Sequence, residues 1–208
     1  MEVLELATGL WRWTGWHEEW REDVGCVYYA TNEEVCLIDP LVPPEDRARF
    51  WAALDRDVAR VAGPVHVLIT VFFHARSARE LIERYGARLW ASSRAKAAVE
   101  RRAGPVSDPF RPGDALPAGV EALASGRGGE VIYWLPEQRT LVPGDVILGA
   151  DGGVRLCPRS WLPAGIDHAA LRRSLEPLLA LDVERVLVSH GQPVLEGGRA
   201  ALESALAA

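Results

Sequence analysis

The chain has 208 residues, 49% hydrophobic and 25% charged, and a formal net charge of −6. This balance excludes disordered and fibrous classes. The acidic excess argues against nucleic-acid or membrane partners held by phosphate contacts. The length suits one sizeable core, so a single domain over 1–208 is expected.

Met1-Glu2-Val3-Leu4-Glu5 lacks the basic start and apolar stretch of a secretory signal, and no later apolar run is long enough for a bilayer, so a cytoplasmic chain is expected. Cys26, Cys36 and Cys157 are odd in number and show no C-x-x-C spacing, which points to buried free thiols rather than disulfides or a thiolate zinc site.

Leu10-Trp11-Arg12-Trp13-Thr14-Gly15-Trp16 begins with the apolar–polar alternation of a strand. It belongs to a cluster of four indoles, Trp11, Trp13, Trp16 and Trp20, that suits core packing or, as a further reading, a partner-binding interface. Residues 24–30 and 35–38, separated by Thr31-Asn32-Glu33-Glu34, predict a hairpin. Helical spacing of Phe50, Ala53, Leu54, Val58 and Val61 predicts a helix over 45–62, ended by Gly63-Pro64. The apolar run 65–70 predicts an interior strand. A helix over 77–85, a short strand at 89–91, and a helix capped by Ser92 and running to Arg102 follow. Residues 120–124, 131–135 and 140–142 predict an antiparallel meander. A helix over 167–181 with an Asp167 cap, a buried strand at 186–188 and a last helix over 198–206 complete the chain.

Three landmarks fall in this order: Leu37-Ile38-Asp39-Pro40 after the hairpin, Pro143-Gly144-Asp145-Val146-Ile147 after the meander, and Val188-Ser189-His190-Gly191 after the late strand. Together they resemble the metallo-β-lactamase superfamily over nearly the whole chain. The resemblance implies an α/β (α+β) fold, a four-layer αββα sandwich with its site at one edge of the two sheets.

In that family the strand matching 65–70 leads into H-x-H-x-D-H, which binds zinc or iron. Here the string is Val71-Phe72-Phe73-His74-Ala75-Arg76, so Val71 and Phe73 stand for the first two histidines, Ala75 for the aspartate and Arg76 for the last histidine. The five histidines lie at 17, 66, 74, 168 and 190, and no shift of register produces H-x-H. Arg127 stands near where the family's meander histidine is expected. Of seven metal-site positions the resemblance leaves Asp145, matching the bridging aspartate, and His190, matching the final histidine. Asp39 matches an aspartate that orients neighbouring ligands.

Two retained donors hold a divalent ion poorly, because catalytic zinc usually takes three protein ligands. An arginine cannot coordinate a metal, and Arg76 is expected to pair with Asp145 in its place. The first reading is therefore a hydrolase-like fold with a degenerate metal site, no resident metal, and a pocket of Phe72, Phe73, His74, Arg76, Asp145, Trp161 and His190 that takes a small anionic ligand. The alternative is a hydrolase of an ester, thioester or lactone, with one zinc or iron held by His74, Asp145 and His190. His66 is expected as a core or edge imidazole, and His17 and His168 as solvent-facing. Arg94 to Arg102 reads as a solvated basic cluster. Ser92, Ser93 and Ser189 sit in no G-x-S-x-G elbow, against serine hydrolase chemistry.

Overall fold

The computed structural model describes residues 1–208. Strict alternation along buried strands sets its layers, because successive side chains of a strand point to opposite faces. In the strand Val65–Ile69, Val67 and Ile69 pack into one apolar cluster with helix residues Phe50, Leu54, Leu81 and Val99, whereas Leu68 packs into another with Tyr133 and Leu187. In Val131–Leu135, Val131, Tyr133 and Leu135 share that inner cluster, and Ile132 and Trp134 face outward against Leu171, Leu175 and Leu202. Two sheets thus pack face to face, each covered outside by helices, as the sequence leads one to expect.

The larger sheet has seven strands in chain order: β1 (Val3–Ala7), β2 (Leu10–His17), β3 (Glu22–Ala30), β4 (Val35–Ile38), β5 (Val65–Ile69), β6 (Arg88–Ser92) and β7 (Asp108–Phe110). The first four pair antiparallel, and β4 to β7 pair parallel. Parallel neighbours need a crossover, supplied by α1 (Arg47–Val61), α2 (Ala78–Tyr85) and α3 (Lys96–Ala103).

The second sheet contains β8 (Glu121–Ala124), β9 (Val131–Leu135) and β10 (Thr140–Val142) as the expected meander, with β13 (Arg185–Val186) parallel to β10. A small hairpin of β11 (Ile147–Ala150) and β12 (Gly153–Leu156) leads to α4 (His168–Leu175), and α5 (Gly198–Ala207) ends the chain. No helix is long and apolar enough to cross a membrane.

Several boundaries differ from expectation. The helix over 167–181 keeps its cap, with the Asp167 carboxylate accepting from the N–H of Ala170 at 2.7 Å, but it tightens to a 3₁₀ turn from Glu176, where Pro177 removes a donor. Ser92 ends β6, and its hydroxyl accepts from Ala95 N–H one turn before α3 begins. Cys26, Cys36 and Cys157 are buried free thiols, and burial pushes Cys26 up to about 11.

Candidate metal centre

β5 delivers the chain to the edge between the sheets at Thr70, and a 3₁₀ turn over Phe72–Ala75 follows where a loop was expected. That turn decides which side chain enters the edge. Phe73 points outward and is 41% exposed, whereas His74 is fully buried. Phe72 and Phe73 stack at 3.9 Å and carry the guanidinium of Arg102 over both rings, so their aromatic contacts are made away from the histidines.

β10 ends at Val142, and Pro143-Gly144 turns the chain so that Asp145 meets His74. Gly144 has φ +64°, and a Cβ there would lie 2.7 Å from Glu130 Oε1 and 3.1 Å from Thr70, so only glycine fits without strain. The loop after Val188 supplies His190, whose neighbour Ser189 accepts from Gly25 N–H at 2.7 Å and ties the loop to β3.

The three groups meet around one carboxylate oxygen. Asp145 Oδ1 lies 3.1 Å from His74 Nε2 and 3.3 Å from His190 Nε2, and the three ligand atoms all lie within 4.8 Å of one another. His74 Nδ1 lies 2.8 Å from Asp39 Oδ2, and Asp39 also accepts from the backbone N–H and hydroxyl of Thr70. His190 Nδ1 lies 3.0 Å from Glu22 Oε1, close but without a well-directed hydrogen bond. Each imidazole thus has a carboxylate behind it. Donation of Nδ1–H from His74 to Asp39 presents the His74 Nε2 lone pair forward, the usual arrangement of a metal-ligating histidine.

The ligand atoms fit an ion better than they fit one another. His74 Nε2 and Asp145 Oδ1 are buried with no well-directed hydrogen bond despite their closeness, and such atoms are costly unless something else satisfies them. Without an ion, burial and Arg76 oppose protonation of His74, but Asp39 and Asp145 outweigh them and raise its pKa. Burial acts to raise Asp145, yet His74 and His190 hold its carboxyl well below the ordinary range.

The expectation that Arg76 pairs with Asp145 is corrected. Arg76 Nη1 donates to the carbonyls of Asp39 at 2.9 Å and Gly25 at 3.3 Å, and Nη2 donates to Ser189 Oγ at 2.7 Å. The guanidinium's fork of donors matches three acceptors from three segments, so it braces the loops that carry Asp39 and His190. The group beside Asp145 is His74, and with it three donor side chains meet at the sheet edge.

Two indoles border the centre. Trp20, in the turn between β2 and β3, lies 5.9 Å from the His74 ring and 5.5 Å from His190, with Arg76 5.4 Å over its face. Trp161 meets His190 edge-on at 6.1 Å and is 42% exposed, at the rim. His17 was expected in solvent but stacks on Trp20 at 3.9 Å, and His168 is half-buried with Nε2 2.9 Å from Cys157 O. His66 is a core imidazole that accepts from Trp90 Nε1. Trp13 is core, and Trp16 is 38% exposed. Trp20 is noted in the sequence only as part of the indole cluster, and Glu22 is not noted at all. Nothing in the local sequence places either beside the histidines, since they reach the centre only through the β2–β3 turn.

Comparison with solved structures decides the architecture: a metallo-β-lactamase from Pontibacter korlensis superposes with a TM-score of 0.72 at 17% identity, covering 99% of this chain and 97% of that one. The fold is that of the metallo-β-lactamases. A metallo-β-lactamase from Erythrobacter litoralis matches with a TM-score of 0.68 at 18% identity, covering 99% and 94%. A metallo-β-lactamase family protein from Thermus thermophilus matches at 0.67 and 20%, covering 98% and 80%. No protein-family model and no curated protein sequence matches the chain. The metallo-β-lactamase fold is therefore present here with a His–Asp–His set at its sheet edge.

Proposed function

We propose that the chain is a metal-dependent hydrolase whose single zinc or iron is held by His74, Asp145 and His190, acting on an ester, thioester or lactone. The observation that carries this reading is the convergence of His74 Nε2 and Asp145 Oδ1, buried and without well-directed hydrogen bonds, with His190 Nε2 on one point. A catalytic zinc centre takes three protein ligands and leaves a position open. When bound, such an ion supplies Lewis acidity to an acyl carbonyl and acidifies water toward neutral pH.

The chain's own residues prepare that chemistry. Asp39 fixes the orientation of His74 through Nδ1, and Glu22 stands 3.0 Å behind Nδ1 of His190 as its charge partner. Arg76 ties the Asp39 carbonyl to the Ser189 hydroxyl and so holds the two loops in register. Trp20 shields the imidazoles from bulk water, and Trp161 at the rim offers an apolar face to the substrate. On this reading residues 1–208 act as one domain in the cytoplasm.

A second reading keeps the centre free of metal: the raised pKa of His74 lets a proton neutralise Asp145, and the pocket binds a small anion. Hydrolysis assays separate the two. The zinc- or iron-supplemented protein should cleave an aryl ester, a thioester or a lactone, and His190→Ala should abolish that turnover. Supplemented protein inert on all three classes counts against the hydrolase.

A further inference from the structure

A cleft of about 610 Å³ opens where the end of β6, the end of β7 and the β8–β9 loop meet. Serines, glycines and arginines make up most of its 14 lining residues. Arg94, Arg111 and Arg127 line it. Arg94 and Arg111 are exposed, and neither side chain makes an ion pair or hydrogen bond, in a protein whose overall charge is negative. Nearby Asp114 is engaged by the backbone N–H of Arg111.

The cleft walls are tied in place. Ser92 Oγ donates to Gly129 O at 3.0 Å, Ser93 Oγ to Phe110 O at 3.0 Å and Ser125 Oγ to Glu130 O at 3.0 Å. The hydroxyls are therefore spent on shape, and the guanidiniums of Arg94 and Arg111 remain as free donors. One carboxylate enters the wall: Glu130, whose Oε2 lies 3.0 Å from Arg127 and whose Oε1 accepts from Asp145 and Val146 N–H at 2.6 and 3.0 Å. Arg94 and Arg111 are left as two unpaired guanidiniums on the cleft, which match the −1.5 to −2 charge of a phosphomonoester near pH 7 better than the single charge of a carboxylate.

We propose that this cleft is a binding site, separate from the metal centre, for the phosphate-class oxyanion of a small phosphorylated molecule. Inorganic phosphate is the probe, titrated calorimetrically at constant ionic strength into the full chain, with acetate as the monoanion. Phosphate should bind saturably and more tightly than acetate. The double variant R94A/R111A should weaken it by at least about tenfold. His190→Ala, which removes a ligand of the metal centre, should leave it unchanged. If the double variant does not fold, R111E alone should give the same loss. Phosphate that fails to saturate, acetate that binds equally well, affinity retained in the arginine variants, or affinity lost in His190→Ala would each overturn the assignment. The last outcome would place the anion at the metal centre and leave the hydrolase reading standing.

Discussion

Asp39 Oδ2 lies 2.8 Å from Nδ1 of His74, and this contact determines which face of the imidazole looks at Asp145. Asp39 holds that position with φ 51°, a left-handed conformation that aspartate tolerates better than most residues. Its carboxylate is fixed from the other side by the Thr70 N–H and hydroxyl.

Asp39→Asn should therefore weaken ion binding without removing a ligand. An amide presents either an N–H or a carbonyl to Nδ1, and the Nε2 lone pair is no longer enforced. Loss of such an orienting partner costs about 10–100-fold in metal affinity. Zinc competition against a chromophoric chelator measures it, and an unchanged affinity would show that Asp39 does not orient His74.

Gly144→Ala tests the turn that places Asp145. The added Cβ meets Glu130 Oε1 at 2.7 Å in a backbone with φ +64°. A destabilisation of about 1–3 kcal/mol is expected from the left-handed strain and the contact, read as a lower urea midpoint with unchanged slope. An unchanged midpoint would mean that the turn relaxes freely.

Glu130 predicts a pH dependence of stability in the chelator-treated protein. Burial pushes its carboxyl up to about 7 from an unfolded value near 4.5, against the pull of Arg127. The folded state then holds the extra proton, so stability is full below about 4.5 and falls as pH rises toward about 7. The upper bound is roughly 3 kcal/mol, from the 1.36 kcal/mol that accompanies each unit. Glu130→Gln should flatten this part of the stability curve relative to wild type. Parallel curves for the two proteins would contradict the buried-carboxylate account.

Arg76→Lys separates bracing from coordination. A lysine ammonium cannot reproduce the fork that reaches the carbonyls of Gly25 and Asp39 and the Ser189 hydroxyl together. Stability should fall by about 1–3 kcal/mol, while the three donors still take up one ion. Loss of the ion with stability intact would show that Arg76 acts on the ion's ligands and not as a brace of the fold.

The layers were legible in the sequence because buried strands announce themselves. The runs at 65–70 and 131–135 are apolar on both faces, as the interior of an αββα sandwich requires. β1, β7, β11 and β12 escaped for physical reasons. β1 is a half-exposed edge strand, Pro109 sits inside β7, and glycines interrupt β11 and β12.

Asp145 and His190 were legible as site residues because each sits in a short landmark at a strand end. The position of His74 was not settled by alignment alone. Counting along the string put Phe73 in the histidine position, but the 3₁₀ turn rotates Phe73 outward and His74 inward. Arg76 differs from expectation because its fork goes to two carbonyls and a hydroxyl on segments distant in sequence, which spacing does not bring into view.

Elemental analysis of protein purified without added metal, beside His74→Ala prepared identically, tests the central claim most directly. The account predicts about one zinc or iron per wild-type chain, from a three-ligand site, and a large loss in the variant. Wild-type protein that carries no zinc or iron and takes up neither on titration would contradict it.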